Sequence, residues 1–168
     1  MAYRNRTYIA FDGDKDIHYY YLMKAWKNSK YVSFNFYDAH DLNIARDNSM
    51  EQTIKRRLSE RMANTKCLVL LIGESTRYLT KFVKWEIELA IKTGLPIIAV
   101  NLNNKKQMDN DRCPPALRYA LAIHIPFKQS AVEYAIENWP ESFSNHKSNG
   151  NIGPYFYSDS VYQALGIK

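Results

Sequence analysis

Glu86 poses the clearest chemical question in the chain. Residues 80–93, T-K-F-V-K-W-E-I-E-L-A-I-K-T, read as a helix closed by Gly94. Wound with helical periodicity, they collect Phe82, Val83, Ile87, Leu89 and Ala90 on one apolar stripe, with Lys84, Glu88 and Lys92 opposite. Glu86 falls near the middle of the stripe. A carboxylate there is costly unless it meets a basic partner or opens onto a cleft, and the wheel alone leaves both readings open. Glu88 has the same chemistry on the solvent face and raises no such question. A fixed carboxylate in a partly apolar crevice suits cleavage of a ribosyl C–N bond. Positive charge builds on the sugar ring as that bond breaks, and a carboxylate stabilises the oxocarbenium-like state and can hold the ribose hydroxyls. Aromatic side chains can stack on the ring being released. Phe11 and Trp85 are the candidates, and since Trp85 lies at the stripe's edge, packing alone also accounts for it.

The scaffold that must position these groups is bounded by composition. A chain of 168 residues has one domain as its prior, and 46% hydrophobic residues suffice for a real core. The net charge of +6 permits anionic partners without naming one. Its densest basic cluster, Lys55, Arg56, Arg57 and Arg61, lies on one predicted helix and reads as a solvated face, so nucleic acid is disfavoured. Cys67 and Cys113 fit no metal spacing and suit a reducing compartment. The four histidines are scattered, and His124, in an apolar strand, reads as a satisfied core residue. The first residues form no apolar signal region, and no run approaches the length of a membrane span. The expectation is a cytoplasmic chain that does not enter a membrane.

Five strands alternate with helices. Residues 7–11 form strand one, ending in the turn signal Asp12-Gly13-Asp14, and a helix follows to about Asn28 with Tyr19, Leu22, Met23 and Trp26 inward. Residues 31–37 form strand two, and 38–48 a long loop of the kind that often carries function. Ser49-x-x-Gln52 reads as a capping box opening a helix with Met50, Ile54, Leu58 and Met62 inside. Residues 66–72 and 95–102 are nearly continuous apolar runs, the mark of strands buried on both faces. Residues 116–120 read as a short helix, and 122–127 as strand five, with Pro126 pointing to a sheet edge. Ser130-x-x-Glu133 reads as a second capping box for a helix carrying Val132, Ile136 and Trp139 and stopped by Pro140. The tail, aromatic at Tyr155, Phe156, Tyr157 and Tyr162, is expected to pack back. The predicted fold is α/β, a flavodoxin-like doubly wound parallel sheet in the order 2-1-3-4-5, with a domain over 1–140 and a packed extension over 141–168.

Ligands in such sheets bind where the winding reverses, here between strands one and three, beside the loops 11–16 and 73–79. The Glu86 helix starts from the second of these, which favours the functional reading. Other chemistries fail on motif. There is no G-x-G-x-x-G, no G-x-x-x-x-G-K-[ST], no G-x-S-x-G and no H-E-x-x-H. Phosphorelay is disfavoured because strand three ends Ile72-Gly73-Glu74, without a phosphoacceptor Asp.

Residues 7–16, 67–73, 82–87 and 94–98 together resemble the bacterial TIR-like proteins of Thoeris antiphage systems (ThsB-like), a likeness covering about residues 6–127. The resemblance implies a TIR-like fold and a catalytic glutamate, which by position is Glu86. The family usually has Trp four residues before that Glu; here Phe82 holds the place and the Trp is at 85. The resemblance further implies a pocket shaped by the loop after strand one, at Phe11 and Asp12, and by the loop after strand two, at Asp38. It implies cleavage of NAD⁺ as substrate, with no metal or further cofactor, to give a cyclic or conjugated ADP-ribose signal in antiphage defence. The expected partners are further copies of the chain and a separate effector protein reached by the diffusible signal. Two alternatives stand beside this reading: a non-enzymatic TIR-like interaction module, and an N-glycosidic enzyme of the nucleoside deoxyribosyltransferase kind.

Overall fold

A computed structural model describes residues 6–28, 37–38 and 51–168. The elements run β1 (Arg6–Ala10), α1 (Ile17–Lys27), β2 (Tyr37–Asp38), α2 (Glu51–Met62), β3 (Cys67–Ile72), α3 (Phe82–Thr93), β4 (Ile97–Asn101), β5 (Ala122–Pro126), α4 (Gln129–Ser148), β6 (Pro154–Tyr155) and α5 (Asp159–Ala164). Short 3₁₀ turns at Thr76–Tyr78 and Pro115–Leu117 interrupt the loops. All strand pairs are parallel, and the sheet order is β2-β1-β3-β4-β5-β6. This is the expected α/β doubly wound arrangement with one strand added at the β5 edge. The remainder of predicted strand two, the loop at 39–48 and the Ser49 capping box lie outside the described residues.

Strand alternation divides the core into two layers. Ile9, Phe11, Val69, Leu71, Val100 and Ile125 face α1 and α4, where Met23, Trp139, Phe143 and Tyr162 close over them. Tyr8, Ala10, Leu68, Leu70, Ile72 and Ala99 face the other way, against Ile54 and Leu58 of α2 and Val83, Ile87 and Ala90 of α3. β3 and β4 are buried along their whole length, as their unbroken apolar runs require. Gly94 closes α3 at φ 71°, a left-handed conformation that glycine adopts without Cβ strain.

Several local expectations are corrected. Leu22 is 46% exposed and Tyr20 is buried in its stead, because the α1 stripe follows Tyr20 and Met23 with Tyr19 and Trp26 half-buried beside them. Phe82, at the first residue of α3, is 39% exposed, so the inner stripe is Val83, Glu86, Ile87 and Ala90. Ser130 is not a cap: α4 begins at Gln129, and Lys128, in extended conformation, supplies the carbonyl that accepts from the Val132 N–H at 2.9 Å. Nor does Pro140 end α4. Trp139 and Phe143, on either side of it, are both buried on the sheet, and this packing carries the helix through the missing N–H to Ser148. Residue 140 thus lies inside an element. β5 is flanked on both sides, but β6 pairs only with Ala122 and Ile123, so Pro126 keeps a locally open edge.

Candidate functional site

Two loops meet at the carboxyl ends of β1 and β3. Asp12, just past β1, is 6% exposed. One of its carboxylate oxygens accepts from the Asp14 N–H at 3.0 Å, forming a tight turn, and the other accepts from the Ser75 hydroxyl at 2.7 Å. The second bond spans 63 residues of sequence and fastens the β1 loop to the loop that launches α3. That loop is fixed from within by the Thr76 hydroxyl, which accepts from the Gly73 N–H at 2.9 Å. From outside, Arg112 reaches Glu74 at 3.4 Å and the Arg77 guanidinium donates to the Asp111 carbonyl. Asp16 completes the cluster. Its carboxylate lies so close to Gly73 that a Cβ there would sit 2.4 Å from Oδ2, so any larger residue at 73 must displace the Asp16 side chain. Burial pushes the Asp16 carboxyl above its ordinary value, and the neighbouring Asp12 charge adds to the shift.

Glu86 sits in the second turn of α3 on the inner stripe, 3% exposed. Its neighbour across the sheet interface is Tyr8 of β1. Burial pushes the Glu86 carboxyl up to about 8, and a hydrogen bond with the Tyr8 side chain pulls part of that back. Glu88, on the outer face, shows the contrast: half exposed, it pairs with Lys84 at 3.8 Å. Glu86 is therefore a desolvated acid that holds its proton at neutral pH unless a positive charge arrives beside it.

The other candidate residues are distributed around this centre. Phe11 is buried on the α1 side of the sheet, its ring stacked on Tyr20 at 4.9 Å, opposite to the face that holds Glu86. Trp85, next to Glu86 in sequence, points about a quarter-turn away. It lies edge-on to Phe82 at 5.5 Å, and the Lys55 ammonium stands 4.9 Å from its ring. Asp38 ends β2, its backbone in register with Thr7. The structure thus brings Glu86 to Tyr8, and Asp12 to Ser75 and the Asp16–Gly73 pair, while Phe11 and Trp85 face elsewhere. Sequence reasoning missed Tyr8, Asp16, Gly73, Ser75 and Thr76. The signal was present as two polar clusters, D-G-D-K-D after β1 and G-E-S-T after β3, each at a strand's carboxyl end.

His124 is buried in β5, as expected of a core histidine, but among the described residues neither ring nitrogen has a hydrogen-bond partner. Desolvation lowers its pKa to about 4. Burial also pushes the thiols of Cys67 and Cys113 up to about 11, which leaves them unreactive. Among the described residues no group of three metal-ligating side chains converges, and no helix is long and apolar enough to cross a membrane.

The TIR-like domain of the Thoeris protein ThsB matches residues 8–107. The chain belongs to this ThsB TIR-like family. The matched span opens at Tyr8 and takes in Asp12, Asp16, the Gly73–Thr76 loop and Glu86. Within this ThsB-like domain, both candidate clusters lie on the sheet's first three strands and the helix that follows them.

Proposed function

We propose that the chain is a TIR-like enzyme that cleaves the nicotinamide–ribose bond of NAD⁺ and releases an ADP-ribose-derived signal in antiphage defence. The observation that carries this reading is Glu86: a fully desolvated carboxyl on the helix launched from the switch-point loop, inside the span matched to the ThsB family. In the reaction the C1′–N bond breaks and its electron pair stays on the nicotinamide nitrogen, discharging the pyridinium. Positive charge passes to the ribose. A hydroxyl or ring-nitrogen nucleophile then bonds to C1′, and where it carries a proton it gives that proton up.

Glu86 suits the middle of this sequence. Its environment disfavours a lone negative charge, so the arriving cationic substrate lowers its pKa, the proton passes to water, and the resulting carboxylate stabilises the oxocarbenium-like state. Asp12, held by Ser75, and Asp38, at the end of β2, would shape the pocket rim; Phe11 would support it from behind through its stack on Tyr20. Activity is expected to require self-association, and the product to reach a separate effector protein by diffusion.

The test is NAD⁺ consumption with products separated by chromatography, using concentrated protein and lysate from phage-infected cells, for the wild type and Glu86→Gln. NAD⁺ loss with a new ADP-ribose-type product, abolished in a folded Glu86→Gln, is the expected result. The burial of Glu86 against Tyr8 favours a second reading, a structural acid in a non-enzymatic interaction module. Absence of turnover in both conditions, with self-association intact, would establish that reading instead.

A further inference from the structure

The groove between α2 and α3 lies on the outer side of α3, away from the Glu86 carboxyl. This open groove offers about 430 Å³, within the range of about 300–1,000 Å³ found for small-molecule sites. Its floor is apolar, made by Leu58, Leu89 and the half-buried Trp85. Lys55, Arg56 and Lys92 stand around it, against two acids: Glu88, whose charge is offset by Lys84 at 3.8 Å, and Glu51, which pairs with Lys55. Lys55 is already in place, held by Glu51 at 2.8 Å with its ammonium 4.9 Å from the Trp85 ring. Among the described residues Arg56 and Lys92 enter no ion pair, so their charge is available to a ligand.

An indole in the floor offers a face or edge to a planar ring, and Arg56 and Lys92 at the rim, with Lys55 shared with Glu51, offer donors to phosphate oxygens. The geometry points to a binding site for a nucleoside diphosphate in this groove, distinct from the Glu86 position. The base packs on Trp85 and the two phosphates lie among Lys55, Arg56 and Lys92. This assigns Trp85 to a second site. The assignment does not rest on NAD⁺ cleavage.

The experiment is a titration of the ¹⁵N-labelled full chain with ADP, following the three indole N–H resonances, with Trp85 identified by Trp85→Phe. The Trp85 resonance is expected to shift saturably, while that of the buried Trp139 stays in place and reports the fold. Arg56→Ala combined with Lys92→Ala is expected to raise the half-saturation concentration at least about tenfold. Glu86→Gln should leave the ADP response intact, so failure of the catalytic reading and failure of this one are separable. An unmoved Trp85 resonance at millimolar ADP overturns the assignment, as does unchanged half-saturation in the folded double variant. A response to oligothymidylate without one to ADP overturns it in favour of single-stranded nucleic acid.

Discussion

The two faces of the sheet are built to different rules. The α1/α4 face is closed by rings: Phe11 stacked on Tyr20, and Trp139 edge-on to Phe143 and tilted against Tyr155. The α2/α3 face buries Glu86 on α3, and strand alternation places His124 of β5 on the same side as Ala122 and Ala99. These two groups keep themselves uncharged by opposite shifts, Glu86 upward to about 8 and His124 downward to about 4. One face is held chiefly by ring packing, with His146 tilted against Trp139 and Tyr155 in the same cluster. The other carries groups that folding holds away from their preferred charge, a cost that an interior selected for packing alone would avoid.

The comparison is tested most strongly by one substitution on each face. Trp139→Ala removes a side chain only 2% exposed from the α1/α4 layer and should lower unfolding stability by about 3–5 kcal/mol. Glu86→Gln should act with the opposite sign. The folded pKa of about 8 lies above the ordinary 4.5, so between these values the native state keeps a proton that the unfolded state has lost. Wild-type stability therefore falls as pH rises from about 4.5 to 8 and is flat beyond. Gln removes the slope and should gain up to about 3 kcal/mol at pH 7. Urea denaturation at several pH values reads both effects. A Glu86→Gln curve parallel to wild type would remove Glu86 from the list of groups under strain. If the enzymatic reading holds, the same variant loses turnover as it gains stability, and wild-type activity rises with pH towards 8 as the carboxylate forms.

His124→Leu probes the same face at acid pH, with a smaller expected effect. Here the folded pKa of about 4 lies below the ordinary 6.5. The unfolded state takes up a proton first as pH falls, so stability is lost progressively from about pH 6.5 down to pH 4. The substitution should flatten that limb and gain about 2 kcal/mol at pH 5 relative to wild type. Retention of the acid limb in His124→Leu would transfer it to other groups.

Much of this architecture is legible in the sequence because it rests on local periodicity. The unbroken runs at β3 and β4, the Gly94 stop and the misplaced Glu86 all follow from patterns within a few residues. What was not legible depends on packing between distant segments. A Pro inside α4 is tolerated only because Trp139 and Phe143 are both seated on the sheet. Phe11 and Glu86 share a neighbourhood in the element order yet lie on opposite faces, because Phe11 alternates with Tyr8 and Ala10, which face α3. Ser75 and Asp12 are a pair only across 63 residues, and Trp85 belongs to a groove that needs α2 to exist.

The switch-point cluster allows the finest test, since it joins the two faces at the strand ends. Gly73 and Asp16 occupy each other's space: a Cβ at Gly73 would stand 2.4 Å from one Asp16 carboxylate oxygen and 2.7 Å from the other. Gly73→Ala must therefore displace the Asp16 side chain, and overpacking of this kind costs about 1–3 kcal/mol. Asp16→Ala removes the obstacle and also relieves a carboxyl that burial and Asp12 push above its ordinary value. In the double variant the Gly73→Ala penalty should largely vanish, giving a coupling of about 1–2 kcal/mol by denaturation. Additive effects would mean that Gly73 is required for its backbone or for Thr76, whose hydroxyl accepts its N–H, rather than for Asp16. The coupled result would identify Asp16 as the side chain that Gly73 makes room for between the β1 and β3 loops.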